Sequence, residues 1–182
     1  GLQFPRVFHL DNFRQAIENT YVSGMPFPTI LWNTLYATLL GTVVIVLLSA
    51  MAAYVIARRR GRFYRVVYSL MVMTLLIPFQ AFMFPLYVLL RQLGLLNSLE
   101  GFTLAKIATG LGYSVIITTG FVRGLPYEIE EAAMVDGSTM VRSFFKIVLP
   151  LMRPIILTSV VINALGIWND FGLAFIILTR PA

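Results

Sequence analysis

Residues 125–154 read LPYEIEEAAMVDGSTMVRSFFKIVLPLMRP and form the one long charged, amphipathic segment in an otherwise mostly apolar chain. Pro126 suits the first turn of a helix, because an N–H at that position would have no intrahelical partner. The acidic residues that follow it complement the helix dipole. Gly137 suits the left-handed turn that ends a helix, and Ser138 or Thr139 is placed to cap a second one. The segment therefore predicts two short helices joined by a tight turn, lying at a membrane surface.

The two predicted helices offer different faces. In the first, Ile129, Ala132 and Ala133 form a narrow apolar face at helical spacing, and Glu131 is able to pair with a basic group. The second carries a broader apolar stripe, with its basic residues on another face. The members of the stripe are Met140, Val141, Phe144, Phe145, Val148 and Leu149. Such a segment is typical of a docking element that presents small and acidic residues to a partner.

The composition is that of an integral membrane protein. Of 182 residues, 58% are hydrophobic and 12% are charged, and the mean hydropathy is +0.83. Soluble domains have about 45–50% and about 25% respectively. The net charge of +6 would suggest nucleic acid in a soluble protein, but here the basic residues cluster at the ends of apolar runs, which indicates membrane topology. The chain has no cysteine, and its one histidine, His9, cannot build a metal site.

Four apolar runs predict membrane spans within an all-α membrane protein whose residues 1–182 form a single transmembrane domain. A helix needs roughly 20 apolar residues to cross the hydrocarbon core. The first two runs exceed that length without a charge, and the other two are weaker. Pro78 interrupts the second run and predicts a bend, while residues 1–28 are a polar lead-in on the outer side. The runs are 30–57, 66–90, 101–122 and 154–170.

An arginine cluster at 58–65 follows the first span and sets the predicted orientation. By the span count, nine of the 14 Lys and Arg residues lie on the side of this cluster. The positive-inside rule places that side, together with the loop at 125–150, in the cytoplasm. The nine residues are Arg58, Arg59, Arg60, Arg62, Arg65, Arg123, Arg142, Lys146 and Arg153.

The loop at 125–150 also resembles a known signature. It matches the pattern EAA-x3-G-x9-I-x-LP, the EAA loop of the membrane subunits of binding-protein-dependent ABC importers. The alternative is an interfacial amphipathic helix without a partner, which the membrane context disfavours. The matching residues are Glu131, Ala132, Ala133, Gly137, Ile147, Leu149 and Pro150.

Weaker matches in the same order along the chain are similar to the sugar-type, MalG-like branch of these permeases. They are Asp11-Asn12-Phe13, Asn33-Thr34, Ala52-Ala53-Tyr54 with Arg58, Gly94-Leu95 with Asn97, and Trp168-Asn169-Asp170-Phe171. The resemblance implies a type I permease-like helical bundle of six spans. The four predicted here would then lack the first and the last, with the chain truncated at both ends.

The resemblance also implies partners. A second permease subunit would complete the pathway, ABC ATPase subunits would drive it through the EAA loop as a coupling helix, and an extracytoplasmic solute-binding protein would deliver a sugar. ATP and Mg would be bound by the ATPase, because this chain has no P-loop and would catalyse no reaction. The chain would be a multi-pass protein of the cell (inner) membrane. The alternatives are a stand-alone secondary transporter or channel subunit, and an ABC importer for a non-sugar solute.

A few other positions are predicted to meet the substrate or an outer partner. The alternative for Pro78 is a packing kink without ligand contact, and the alternative for Asp170 is a solvated carboxylate at a helix end. Lys106 lies near the outer end of its span, where its side chain is able to snorkel to the interface. The predicted pathway-lining residues are Pro78, Gln80 and Asn163. The predicted outer contacts are Trp168, Asn169 and Asp170.

Overall fold

The computed structural model describes residues 25–178 together with positions 11, 14 and 17, so the predicted lead-in lies largely outside the described residues. Every regular element in this part is a helix, which confirms the all-α prediction. The helices are α1 (Phe27–Arg58), α2 (Arg62–Thr74), α3 (Phe79–Gln92), α4 (Leu99–Arg123), α5 (Glu128–Val135), α6 (Met140–Leu151), α7 (Arg153–Trp168) and α8 (Gly172–Ile177).

Helices α1, α4 and α7 pack together at the centre, and glycines allow them to approach closely. A Cβ atom built on Gly110 of α4 would lie 2.8 Å from Ile45 Cδ1 of α1 and 3.1 Å from Asn163 Oδ1 of α7. A Cβ atom on Gly41 would lie 2.8 Å from Ile167 Cδ1. Because lipid tails are as apolar as leucine, helices in a membrane associate through such close packing and through hydrogen bonds.

The buried apolar side chains form two clusters at opposite ends of this core. From the first cluster to the second, residue numbers increase along α1 and along α4, and they decrease along α7. Helix α4 therefore runs parallel to α1, and α7 runs antiparallel to both. We call the first the far cluster: Ala37, Ile45, Leu90, Phe102, Ala105, Ile167, Leu173 and Ile177. We call the second, which includes residues of α6, the loop-side cluster: Ala50, Tyr54, Val122, Phe144, Val148 and Met152.

Two helices of the described part, α1 and α4, are each long and apolar enough to cross a membrane. They contain the predicted runs 30–57 and 101–122. The count rises to as many as four when α2 with α3, and α6 with α7, are each taken as one bent span. The number of spans therefore stays a prediction.

The second predicted run, 66–90, is broken rather than merely bent. Helix α2 ends at Thr74, α3 begins at Phe79, and their axes differ by 104°. The cause is Pro78, which has no N–H to continue α2 and disfavours helical geometry in the residue before it. It precedes the first residue of α3 instead, so the continuous kinked helix expected from the sequence is two helices.

One face of α1 carries large apolar side chains at every fourth residue. Leu39, Val43 and Leu47 are 57%, 53% and 53% exposed, and this spacing places them on a single side of the helix. An apolar face of this kind suits contact with lipid or with another membrane helix.

Candidate functional site

Gly137 sets the turn between α5 and α6. Its φ angle is +81°, a region that glycine enters without a steric cost. The N–H groups of Gly137 and Ser138 donate to the carbonyls of Met134 at 3.0 Å and Ala133 at 2.9 Å. This is the Schellman arrangement that satisfies the last carbonyls of a helix. The turn therefore has the left-handed glycine that the sequence indicates at this position.

Helix α6 begins at one of the two predicted caps but is not a regular α-helix. Thr139 Oγ1 accepts a hydrogen bond from the N–H of Arg142 at 3.3 Å. The middle of α6, Phe144–Val148, is a π-helix, and the N–H of Leu149 directly after it donates to the Phe144 carbonyl. Pro150 accounts for the irregularity, because it has no N–H and its ring crowds the carbonyl four residues back.

The predicted apolar stripe of α6 is only partly buried. Phe144 and Val148 are 5% and 1% exposed and belong to the loop-side cluster. In contrast, Val141 and Phe145 are 66% and 56% exposed. The π turn thus directs only part of the predicted stripe toward the core.

The residue of α5 that faces the core is Glu130, at 1% exposed, whereas Ile129 is 42% exposed. The narrow apolar face at Ile129, Ala132 and Ala133 is thus not the face by which α5 packs on the core. Glu130 Oε1 lies 2.7 Å from Arg58 Nε, and Oε2 accepts a hydrogen bond from Tyr54 Oη at 2.8 Å. Both carboxylate oxygens thus have a partner, which is the condition for burying a charge without a large penalty.

Arg58, at the end of α1, makes further contacts beside this ion pair. Its Nη2 donates to the Leu125 carbonyl at 3.1 Å, and its guanidinium carbon lies 5.5 Å from the centre of the Tyr127 ring. The planar guanidinium presents several donors in a fixed geometry, so one side chain is able to satisfy several partners. It therefore holds both α5 and the chain that leads into it. We call Tyr54, Arg58 and Glu130 the loop anchor.

The loop anchor is not predicted from the sequence. There Arg58 belongs to the positive-inside cluster, and Glu130 is one of the acids that complement the helix dipole. A signal was present, because successive residues of a helix point about 100° apart. Glu128 and Glu131 share a face, while Glu130 lies between them and points elsewhere. What the sequence could not supply was its partner, since Arg58 is 72 residues away.

The other side of α5 is open to solvent. Glu131 and Ala132 are exposed, and Ala133 is partly buried. Val135 is 86% exposed, the largest value for a large apolar side chain in the described part of the chain. Exposed apolar residues beside an anchored face are typical of an interaction surface. We call Glu131, Ala132 and Val135 the open face of α5. The later residues of the EAA pattern lie on α6: Ile147 and Leu149, partly buried, and Pro150, exposed.

The three predicted pathway-lining residues lie in two places. Pro78 and Gln80 are exposed at the break between α2 and α3. Asn163 is 8% exposed inside the helix core, where its Nδ2 donates to Ser114 Oγ at 2.9 Å and to the Ser159 carbonyl at 2.8 Å. Asn163 therefore joins α7 to α4 by a hydrogen bond, and a lining role for these residues stays a prediction.

At the far end of the core, Lys106 and Asp170 form an ion pair. Lys106 Nζ lies 2.7 Å from Asp170 Oδ2 and donates to the Gly166 carbonyl at 2.9 Å. Asp170 Oδ1 accepts from the N–H of Leu173 at 2.8 Å. The alternative of a carboxylate solvated on its own is wrong for Asp170, because it pairs with Lys106 across the helix packing. Snorkelling of Lys106 to the interface stays a prediction. The remaining predicted outer contacts, Trp168 and Asn169, are exposed.

No metal site is evident in the residues that the structure covers. Within 25–178 and positions 11, 14 and 17, no three His, Cys, Asp or Glu side chains lie close enough to share an ion. The prediction that ATP and Mg are bound by a partner rather than by this chain is not tested by this geometry.

Residues 45–182 match the family described as "Binding-protein-dependent transport system inner membrane component". The match includes α4 to α7, and with them the whole EAA loop and its open face. The chain belongs to this family.

Named relatives cover nearly the whole chain. The multiple sugar-binding transport system permease protein MsmG of Streptococcus mutans is 32% identical over 182 residues, 98% of this chain and 63% of the relative. The melibiose/raffinose/stachyose import permease protein MelC of Bacillus subtilis is 32% identical over 176 residues, 96% of this chain and 62% of the relative. This chain thus spans slightly less than two thirds of either relative.

The fold also has a solved neighbour. A chain from the crystal structure of a bacterial ABC transporter involved in the import of the acidic polysaccharide alginate superposes with a TM-score of 0.73. It is 26% identical, and the match covers 80% of this chain and 51% of that one. The helical arrangement described above is therefore that of an ABC transporter chain.

Proposed function

We propose that the chain is a membrane-spanning permease subunit of an ATP-driven, binding-protein-dependent importer for sugars or related carbohydrates. The observation that carries the proposal is the family match over residues 45–182. The substrate class comes from the relatives, whose names specify sugars. A non-sugar solute carried by the same kind of importer is the alternative within this class.

The EAA loop is the element through which ATPase subunits would drive this permease. The loop anchor holds the inner face of α5, and its open face presents a carboxylate, a small side chain and an exposed valine. Glu131 would pair with a basic group of the ATPase, Ala132 would allow close approach, and Val135 would enter an apolar cleft. Because the anchor joins α5 to the end of α1, a rigid-body movement of α5 would carry α1 with it.

The complete importer would contain more subunits than this chain. A second permease would enclose the pathway in the lipid bilayer, ATPase subunits would bind ATP and Mg on the cytoplasmic side, and a solute-binding protein would deliver the sugar outside. The arginine cluster at 58–65 supports a cytoplasmic location for the EAA loop, since Arg58 belongs to the cluster and pairs with Glu130 of the loop.

The proposal is tested by Glu131→Lys, with Glu100→Lys as its matched control. Both glutamates are exposed and lie in the first turn of a helix, so each variant makes the same charge change at a comparable position. Glu131→Lys should abolish co-purification of the ATPase and the stimulation of its activity by the solute-binding protein. Glu100→Lys, near the other end of the core, should leave both intact.

Unchanged ATPase binding and transport in Glu131→Lys would remove the coupling role from the loop. Uptake that continued without ATP or any ATPase subunit would favour a stand-alone secondary transporter or channel instead. A binding screen of the partner solute-binding protein would decide between sugars and other solutes.

A further inference from the structure

Within the residues that the structure describes, five arginines around the end of α1, the start of α2 and the end of α4 form no ion pair with a carboxylate. The ion pairs there use Arg58 and Lys106 instead. A group of guanidinium ions without a counter-charge repels itself and attracts anions. The five are Arg59, Arg60, Arg62, Arg65 and Arg123.

Four of these arginines line one cavity of about 280 Å³. Arg59 and Arg60 directly follow α1, Arg65 lies in α2 and Arg123 ends α4. The Arg123 guanidinium carbon lies 4.6 Å from the centre of the Tyr68 ring, and this contact holds it in place. No acidic residue lines the cavity. Guanidinium groups in this number suit a phosphate group, which they bind through paired hydrogen bonds.

An apolar groove of about 520 Å³ leads away from this cavity along α2. The two spaces share Gly61 and Arg65, and the groove continues past Val66, Leu70 and Met73. None of the residues of α2 is buried in the chain. A ligand that fills both the groove and the cavity would therefore be apolar along its length and anionic at one end.

We propose that the cavity and the groove together bind an anionic phospholipid of the cytoplasmic leaflet. The headgroup phosphate lies among Arg59, Arg65 and Arg123, and one acyl chain follows the groove. Basic pockets at the cytoplasmic ends of membrane helices suit such headgroups. An inorganic anion or an acidic protein surface would use the cavity but would leave the apolar groove without an occupant. The inference depends only on the membrane location and stands apart from the substrate and the ATPase.

The test measures binding of spin-labelled phosphatidylglycerol to the purified full-length permease in phosphatidylcholine nanodiscs. Arg65→Gln with Arg123→Gln should weaken the lipid association about thirtyfold, which is about fivefold for each charge lost near the membrane surface. Lys146→Gln with Arg153→Gln removes the same charge from other exposed cytoplasmic positions and should change it less than threefold, roughly the effect expected from net charge alone. Accessibility labelling confirms that the topology of each variant is unchanged.

A second variant tests the groove without changing any charge. Ser69 lines the groove and is exposed, so Ser69→Trp should obstruct the acyl chain and weaken phosphatidylglycerol binding. Glycerol phosphate, which has no acyl chain, should compete equally well in this variant and in the unchanged protein. Arg65→Lys with Arg123→Lys should restore part of the lipid binding.

Three results would overturn the proposal. The first is an equal loss of phosphatidylglycerol binding in the two double glutamine variants, which would show that only the net charge of the protein matters. The second is phosphatidylcholine competing as well as phosphatidylglycerol in the unchanged protein. The third is loss of ATPase binding in Arg65→Gln with Arg123→Gln while the lipid affinity stays unchanged, which would assign these arginines to a protein interface.

Discussion

Two ion pairs hold opposite ends of the helix core, and they have the same length but different surroundings. Arg58–Glu130 and Lys106–Asp170 each join nitrogen and oxygen at 2.7 Å. The side chains of the first pair are 9% and 2% exposed, and those of the second are 13% and 18% exposed. The distance alone therefore does not distinguish them, whereas the access of solvent to the carboxylate does.

The partners of the two carboxylates explain what each pair does. Glu130 is enclosed by a guanidinium and by the hydroxyl of Tyr54, so nothing replaces Arg58 if it is removed. Asp170 keeps the N–H of Leu173 as a partner and remains open to some solvent. Removing one member of a buried pair costs about 3–5 kcal/mol, while a more accessible pair contributes about 1 kcal/mol or less.

The largest effect is expected from Arg58→Met, which leaves Glu130 buried without its counter-charge. We expect the free energy of unfolding to fall by about 3–5 kcal/mol, measured by equilibrium unfolding in mixed micelles. Arg59→Met is the matched control, because Arg59 is exposed and has no carboxylate partner within the described residues. Replacing Glu130 by Met as well should recover most of the loss. An equal loss of the free energy of unfolding in Arg58→Met and Arg59→Met would show that the buried ion pair contributes no more than an exposed arginine.

A smaller effect is expected from Gly137→Ala, which tests whether the left-handed turn between α5 and α6 requires glycine. A Cβ atom at Gly137 meets nothing within 4 Å, so the cost is the positive φ alone, about 1–2 kcal/mol. Gly120→Ala is the control, because it too has open space but lies inside α4. There alanine should stabilise by up to about 1 kcal/mol. Effects of the same sign in both variants, measured as thermal midpoints, would contradict this account of the turn.

The smallest effect is expected from Lys106→Met at the far end. We expect a loss of about 1 kcal/mol or less, because Asp170 keeps a backbone partner and some solvent. High salt should narrow the difference between this variant and the unchanged protein, since screening acts on accessible charges. The loss in Arg58→Met should persist under the same salt. The comparison of the two ends would fail if Lys106→Met were as destabilising as Arg58→Met.

Much of the fold was predictable, because it depends on properties of short segments. The uncharged runs predict apolar helices, Pro78 predicts a disturbance of the second run, and Gly137 predicts a left-handed turn. The spacing of the EAA pattern indicates the family that the match over residues 45–182 then shows. Each of these signals is local, since helix length, proline geometry and the glycine φ angle do not depend on distant residues.

What the sequence left open also has a common origin. Periodicity on α5 indicates a narrow apolar face that includes Ile129, but it does not indicate which face of the helix packs against the protein. The site that α5 meets is the end of α1, where Arg58 and Tyr54 pair with Glu130. On α6, periodicity predicts a regular helix, whereas Pro150 introduces a π turn and only part of the apolar stripe is buried. In both places the local pattern does not contain the surface that it meets.

The sequence by itself determined which segments are helical, where the chain turns at Gly137 and to which family it belongs. Only the tertiary structure decided which charged side chains are buried and which residues they pair with. Glu130 lies 72 residues from Arg58 and 76 from Tyr54, and Lys106 lies 64 residues from Asp170. The packing of α1, α4 and α7 brings these side chains together, and burial then determines how much each pair contributes. The consequence for the EAA loop is that one of its adjacent glutamates, Glu130, holds α5 in place and the other, Glu131, faces outward.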